Sequence, residues 1–242
     1  MKLPLSNAHG EVLDAAYHPA EKSDYLVVLG HGVTGNKDRP LLIAVAEGLA
    51  ARGWPCLRIS FSGNGDSQGR FEDATITKEV ADLQAVLDAI PATTRVAYCG
   101  HSMGGAVGVL TAVRDERVRV LITLAGMVFT KEFCQREFGD VTPGEGCMWE
   151  DADCPLSQAF VDDLNAHVST LEAAAAMQVP WLLLHGSADD VVFPQDSVAA
   201  CAAAPEPKKL VSIEGAGHTF DEKSYPLLVE EIDAWLSTRL NR

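Results

Sequence analysis

Basic residues are scarce in this chain of 242 residues. Nineteen lysines and arginines stand against 34 aspartates and glutamates, which gives a formal net charge of −15 at pH 7. A protein that binds a phosphate backbone needs a basic face, so this balance argues against a nucleic-acid partner. It argues equally against an anionic membrane surface, and otherwise such an excess of acid is typical of a soluble protein.

Long apolar runs are also absent. No stretch approaches the roughly 18 residues that a membrane span requires, and Met1–Asn7 is too short and too interrupted by Pro4 to be a secretory leader. We therefore expect a cytoplasmic protein with no membrane partner. A chain of 242 residues, of which 47% are hydrophobic, fits a single domain over 1–242 with a large core.

The six cysteines lack the spacing of a metal site. Cys56, Cys99 and Cys201 lie in strand-like or alanine-rich helical runs, so we expect them in the core. The other three lie together in one irregular segment: Cys134, Cys147 and Cys154. They form no Cys-x-x-Cys pair, which disfavours zinc, and a reducing compartment disfavours a disulfide. We expect no metal and no organic cofactor.

Strand-like and helix-like segments alternate along the chain, which is typical of a parallel sheet with helices on both faces. The predicted strands cover 25–29, 55–60, 95–99, 118–124, 179–184 and 209–213, and the predicted helices cover 40–52, 77–90, 102–114, 195–203 and 224–240. The stretch 10–17 is predicted as an early antiparallel edge strand. The fold class is therefore α/β, with a mostly parallel central sheet.

The most informative motif is Gly100-His-Ser102-Met-Gly104, between an apolar strand run and an alanine-rich helical run. A Gly-x-Ser-x-Gly pattern in this setting predicts a sharp turn that exposes the serine hydroxyl at a helix N-terminus. There the helix dipole favours developing negative charge. Ser102 is thus the candidate nucleophile; the alternative is a tight turn that only needs small residues.

A carboxylate and a histidine follow the serine in the order of a hydrolase triad. Asp189 and Asp190 come after the strand run that ends at Leu184, and His218 follows a later strand run in a loop of small residues. We predict His218 as the base and Asp189 as its acid partner, with Asp190 as the alternative acid. A glycine-rich turn after the first strand run predicts an oxyanion hole made by the N–H groups of Val33 and Met103. His31 and His185 are interpreted as structural, and His101 as flanking the site.

The stretch from 127 to 170, called here the 127–170 segment, breaks the alternation. It mixes aromatic residues with nine acids and has only two bases, Lys131 and Arg136. Its place after a strand predicts a lid or cap insertion over the strand ends that carry Ser102. If its acids face the entrance, they should disfavour anionic substrates. The alternative is an acidic surface excursion with its own small core.

These motifs resemble the α/β-hydrolase superfamily, and within it the small bacterial cinnamoyl/feruloyl esterases and related carboxylesterases. The resemblance covers nearly the whole chain outside the 127–170 segment and is carried by five stretches: His31–Asp38, Phe61–Phe71, Gly100–Gly104, His185–Pro194 and Glu214–Phe220. It implies Ser102 as nucleophile, Asp189 as acid, His218 as base, and Val33 and Met103 as oxyanion donors.

The expected activity is that of a serine carboxylesterase acting on small-molecule esters of small to medium acids, aromatic acids included, through an acyl-enzyme. Two alternatives stay open: a small serine peptidase or amidase of the same fold, and a hydrolase-fold protein that binds a ligand without turnover. The oligomeric state also stays open, a homodimer included.

Overall fold

A seven-stranded sheet organises the computed structural model, which describes residues 4–240. The strands are β1 (Leu5–Ser6), β2 (Val12–Leu13), β3 (Ala15–His18), β4 (Tyr25–Gly30), β5 (Cys56–Ile59), β6 (Arg95–His101), β7 (Val118–Leu124), β8 (Trp181–Gly186) and β9 (Lys208–Ile213). The α-helices are α1 (Pro40–Ala50), α2 (Ile76–Ala89), α3 (Met103–Ala112), α4 (Thr130–Phe138), α5 (Gln158–His167), α6 (Leu171–Ala175), α7 (Pro194–Ala203) and α8 (Tyr225–Arg239).

The strand order across the sheet is β3-β5-β4-β6-β7-β8-β9. All neighbours are parallel except β3, which runs antiparallel to β5 at the edge. The two short strands β1 and β2 form a separate antiparallel pair. The predicted α/β fold class is confirmed, and β3 lies at the end of the stretch predicted as an antiparallel edge strand.

Both faces of the sheet are covered, which explains why its strands are continuously apolar. In β4, Leu26 and Val28 point into the core beneath α2 and α3, whereas Val27 and Leu29 point into the core beneath α1 and α8. All four side chains are buried. The predicted helices on both faces are therefore present, with bounds that differ by a few residues from the sequence pattern.

Parallel strands carry their carboxyl ends to one edge, so the loops that follow β4, β6, β8 and β9 meet there. Gly30 at the end of β4 pairs in register with Gly100 in β6. The loop after β4 and the turn after β6 are consequently neighbours. This edge brings together the segments in which the sequence predicted functional residues.

The 127–170 segment holds two helices, α4 and α5, and a single turn of 3-10 helix at Met148–Glu150. Four of its aromatic rings pack edge to face: Phe133, Phe138, Trp149 and Phe160. The segment therefore has a small aromatic core of its own. Within residues 4–240, no helix combines the length and apolarity needed to cross a bilayer.

Candidate active site

The turn after β6 holds Ser102 in a backbone conformation that L-residues rarely adopt, with φ 54° and ψ −120°. A Cβ on Gly100 would overlap the backbone of Gly104, and a Cβ on Gly104 would overlap the carbonyl of His31. Both glycines are needed because the backbone segments approach so closely. The Ser102 amide donates to the Leu124 carbonyl at 3.0 Å, which ties the strained turn to β7.

Three side chains from three loops form one hydrogen-bonded chain. The Ser102 Oγ lies 3.0 Å from His218 Nε2, and His218 Nδ1 lies 2.9 Å from Asp189 Oδ2. Since a carboxylate can only accept, Nδ1 carries the proton and Nε2 accepts from the serine hydroxyl. This is the geometry in which an imidazole can remove the serine proton during nucleophilic attack.

The Asp189 carboxylate is fully engaged and its side chain is 0% exposed. Its Oδ1 accepts the amides of Val191 and Val192, each at 3.0 Å. Its Oδ2 lies 3.2 Å from His185 Nε2 as well as next to His218. Burial by itself would raise the pKa of Asp189, but the hydrogen bonds from His185 and His218 outweigh it and hold the pKa well below its usual range.

Asp190, the alternative acid, is exposed to solvent. The structure thus brings Asp189, and not its neighbour, into contact with His218. His185 belongs to the same network, because its Nε2 lies 3.2 Å from Asp189 Oδ2 and its Nδ1 lies 2.6 Å from the Ser197 hydroxyl. The sequence pattern predicted a structural role for His185, and it did not predict that its ring would contact the carboxylate of Asp189.

The loop after β4 packs against the turn that carries Ser102. Gly32 packs so tightly against the nucleophile turn that a Cβ there would lie 2.6 Å from the Ser102 Cβ. This contact brings the next residue, Val33, beside the turn. Met103 is the first residue of α3, and the N–H groups of a first helical turn have no acceptor within their own helix. Both predicted oxyanion donors therefore lie next to Ser102.

Two further histidines support these loops. His31 is buried: its Nδ1 donates to the Gly32 carbonyl at 2.9 Å, and its Nε2 accepts the Phe61 amide at 3.0 Å. Burial is the main cause that lowers the pKa of His31 to about 4. The ring of His101 lies 4.9 Å from the His218 ring, and its Nε2 donates to the His218 carbonyl at 3.0 Å. Neither ring contacts the Ser102 hydroxyl, which agrees with bracing and flanking roles.

A cavity of about 500 Å³ opens at Ser102 and His218. Its walls are largely apolar and include Leu41 and Leu42 at the start of α1, Val191 in the loop after β8, Trp149 in the 127–170 segment and Tyr225 at the start of α8. Its volume lies within the roughly 300–1,000 Å³ typical of small-molecule sites. The site can therefore take an apolar substrate of moderate size.

Arg39 and Trp149 line this cavity, and no motif in the sequence assigns either of them to the site. Position was the only available signal for Arg39, because the start of a helix that follows a parallel strand faces the carboxyl edge of the sheet. None of the nine acids of the 127–170 segment is among the described residues that line the cavity. The walls therefore contain none of these acids, and a negative field at the entrance stays a prediction.

All six cysteines are free thiols, and Cys56 and Cys99 are buried in the core as expected. Burial raises the pKa of the Cys56 thiol to about 12. Across residues 4–240, no group of three histidine, cysteine or acidic side chains is arranged to hold a metal ion.

Structural neighbours share the whole architecture. Est1E from Butyrivibrio proteoclasticus, in a structure with bound ferulic acid, superposes with a TM-score of 0.85 over 100% of both chains at 24% identity. The mouse α/β hydrolase domain-containing protein 10 superposes with a TM-score of 0.81 over 97% of both chains at 21% identity. These likenesses show the α/β-hydrolase fold.

The relatives found by sequence are longer than this chain. An uncharacterised protein of Mycobacterium tuberculosis is 30% identical over 210 residues, which cover 85% of this chain and 66% of that protein. The human mitochondrial palmitoyl-protein thioesterase ABHD10 is 28% identical over 162 residues, which cover 62% of this chain and 52% of that protein. The chain thus spans between about half and two thirds of the length of these relatives.

A family model described as serine aminopeptidase S33 matches residues 21–142, just over half of the chain. The matched part contains the loop after β4 and the turn at Ser102, and it ends before Asp189 and His218. Together with the fold, this match identifies the chain as a member of the serine aminopeptidase S33 family of α/β hydrolases.

Proposed function

We propose that this protein is a serine carboxylesterase that cleaves esters of small to medium acids, aromatic acids included, through an acyl-enzyme. The observation that carries the proposal is the hydrogen-bonded chain Ser102–His218–Asp189, with distances of 3.0 and 2.9 Å. It opens into an apolar cavity of about 500 Å³. Nucleophile, base and substrate space therefore meet at one point, which supports turnover over ligand binding alone.

The reaction follows from these contacts. The Ser102 oxygen attacks the ester carbonyl while its proton passes to His218 Nε2, and the Val33 and Met103 amides stabilise the oxyanion. Collapse of the tetrahedral intermediate breaks the bond to the alcohol, which leaves with the proton from His218. A water molecule, deprotonated by His218, then attacks the acyl-enzyme and releases the acid, which restores Ser102.

Asp189 would keep the base in position throughout. Its carboxylate holds the Nδ1–H tautomer of His218 and stabilises the imidazolium that forms during attack. The amides of Val191 and Val192 and the ring of His185 fix the carboxylate in turn. We assign His185 as a positioning residue, since it contacts Asp189 and not the reacting atoms.

The 127–170 segment is proposed as the cap of this site. Trp149 is the residue through which it reaches the cavity, and that side chain is 44% exposed. Met148 and Phe160 from the same segment lie behind the oxyanion residues, around a small void that also contacts Val33 and Met103. A segment that covers the cavity from these positions would set the shape of the acyl and alcohol subsites.

A peptidase or amidase reaction is the second candidate, and the family description favours it. The relatives add a thioester to the choices, because one of them is named as a palmitoyl-protein thioesterase. Three chromogenic compounds with one acyl group decide between these reactions: a 4-nitrophenyl ester, the matching thioester and the matching 4-nitroanilide. We expect the highest kcat/KM for the ester, and a higher value for the anilide would favour the peptidase.

The first prediction tests the nucleophile. Ser102→Ala should abolish ester turnover, because losing a triad nucleophile typically lowers kcat by about 10⁶-fold. Removing one hydroxyl changes little packing, so the thermal unfolding midpoint should stay close to that of the wild type. Ser23→Ala, at an exposed serine, is the matched control. Residual kcat above about 1% of the wild type would contradict the assignment of Ser102.

A further inference from the structure

Arg39 stands out among the residues that line the cavity. It precedes α1, its side chain is exposed at the mouth of the cavity, and it is the one lysine or arginine among the described lining residues. No aspartate or glutamate in the described part of the chain lines the same cavity. In a chain with a net charge of −15, a lone cation at the mouth of an apolar site is an unusual placement.

The guanidinium of Arg39 is only partly used. One nitrogen donates to the Thr34 carbonyl at 2.8 Å. Among residues 4–240, no carboxylate lies within 4.0 Å of its nitrogens, whereas five of the nine other described arginines have such a partner. Its remaining N–H groups are therefore free to bind an oxygen anion from a ligand, for which the planar guanidinium is well suited.

The hydrogen bond to Thr34 also fixes where this cation lies relative to the reaction. Thr34 follows Val33, whose amide is a proposed oxyanion donor, and Gly32 touches Ser102. Two residues of backbone span at most about 7 Å, so Thr34 and the guanidinium bonded to it belong to the same part of the cavity lining as Val33. Leu41 and Leu42, next along the chain, form apolar surface beside it.

From this arrangement we infer that the preferred substrates carry a carboxylate at the end remote from the ester, separated from it by an apolar body. The apolar body lies against Leu41, Leu42 and Trp149, and the carboxylate pairs with Arg39. This inference rests on the proposed function, since it names the substrate class of the same site. Half-esters of dicarboxylic acids and esters of carboxylated alcohols both belong to this class.

None of the nine acids of the 127–170 segment is among the described residues that line the cavity. Glu137 is one residue removed from it, since its carboxylate accepts the indole N–H of the lining residue Trp149 at 3.0 Å. The charges of Asp151, Asp153 and Arg39 all act on the Cys154 thiol, so this part of the segment opposes the preference. Because a charge-assisted hydrogen bond to Arg39 acts at direct contact, we expect it to outweigh these charges for a carboxylate that reaches the mouth of the cavity.

The test uses two matched substrate pairs. One is mono-4-nitrophenyl adipate against its primary amide, which puts the carboxylate in the acyl part; the other is 4-acetoxybenzoate against 4-acetoxybenzamide, which puts it in the alcohol part. The measured quantity is the ratio of kcat/KM for the anionic ester to that for its amide. Arg39→Gln should lower this ratio about tenfold in at least one pair, as expected for a charge-assisted hydrogen bond, while Arg39→Lys should retain part of it.

Arg114→Gln is the control for net charge. Arg114 is exposed just past the end of α3, the helix that begins beside Ser102, and so lies on the order of 18 Å away along the helix axis. This variant should leave both ratios unchanged. Equal losses on the anionic and neutral esters in Arg39→Gln would mean that Arg39 acts only by supporting Thr34, and that result would overturn the inference.

A binding measurement separates this inference from the proposed reaction. In the Ser102→Ala background, isothermal titration with the same pairs should show tighter binding of the anionic member, and the preference should fall about tenfold in Ser102→Ala/Arg39→Gln. This outcome would support the anion site even if no ester in the panel were hydrolysed. An unchanged preference would overturn it even if hydrolysis of neutral esters were fast.

Discussion

The two adjacent carboxylates after β8 show how strongly one position along a loop changes the chemistry of a side chain. Asp189 is buried and accepts hydrogen bonds from two histidines and two amides, whereas Asp190 is exposed. A carboxylate with every lone pair occupied cannot rotate away from the base. The geometry therefore supports Asp189 as the residue that orients His218.

Replacing the two residues one at a time tests this assignment. Asp189→Asn should lower kcat about 10⁴-fold, because the amide favours the wrong imidazole tautomer, as in serine proteases whose triad aspartate is replaced. Asp190→Asn removes the same charge from a solvated position and should cost less than threefold. Steady-state kinetics on a 4-nitrophenyl ester provide the comparison. The reverse ranking would move the acid by one residue.

Two residues of the site illustrate what the sequence could not predict. Arg39 precedes a helix, and nothing in the local pattern tells whether its side chain turns to the cavity or to solvent. Trp149 lies in an irregular stretch with a positive φ of 49°, where no periodicity of 2 or 3.6 residues assigns a face. The sequence could predict the positions of Ser102, Asp189 and His218, because each follows a strand run and the carboxyl ends of parallel strands lie at one edge of the sheet.

Helix α2 carries two carboxylates into the interior of the protein. Asp82 is fully paired: its oxygens accept the Asn7 amide group and the Ser62 backbone amide, each at 2.7 Å. Glu79, one turn earlier, is 1% exposed, and its Oε2 has no hydrogen-bond partner. Burial, with additional repulsion from Asp82 and Asp163, raises the pKa of Glu79 well above its usual value.

Glu79→Gln should therefore stabilise the protein at neutral pH. A pKa that is higher in the folded than in the unfolded state means that folding favours the protonated form, so stability is lost as pH rises above the unfolded value of about 4.3. The glutamine removes that loss, and we expect a free energy of unfolding about 1–3 kcal/mol higher at pH 8. The gain should shrink as pH falls toward 4.

Urea unfolding of both proteins across this pH range measures the effect. Asp82→Asn is a control for which we expect the opposite sign. It weakens an acceptor that is already paired on the same helix, so it should lower the free energy of unfolding at pH 8. A Glu79→Gln variant that is less stable than the wild type at every pH would mean that the carboxylate is ionised and paired in the native state.

The sequence predicted most of the strands and helices correctly, but it predicted the residues at which they begin and end less accurately. The capped start of α2 illustrates the limit: the Thr75 hydroxyl accepts the Lys78 amide at 3.1 Å, and the helix begins at Ile76 rather than at 77. The helices α4 and α5 were not predicted, because their apolar residues are few and lie among acids. Their stability comes from aromatic packing across the segment, which a local pattern does not reveal.

A buried neutral histidine makes the stability of the protein depend on pH. His31 is 1% exposed, and burial, together with the charge of Arg39 and against the Gly32 hydrogen bond, lowers its pKa to about 4. The unfolded chain would titrate near 6.5. Below that pH the unfolded state binds a proton that the folded state excludes, so stability is present above pH 6.5 and is lost as pH falls toward about 4.

His31→Gln isolates this contribution, because glutamine can accept from the Phe61 amide and donate to the Gly32 carbonyl without titrating in this range. Between pH 7.5 and pH 5 the wild type should lose about 2 kcal/mol more free energy of unfolding than the variant does. Glu79 acts in the opposite direction in both proteins, so the difference between them removes its effect. His9→Gln, at an exposed histidine, is the control variant and should lose as much free energy of unfolding as the wild type over this pH range. Identical losses in wild type and His31→Gln would mean that the His31 ring is protonated in the folded protein at pH 5. A charged ring could not accept the Phe61 amide, which anchors His31 at the start of the loop after β4.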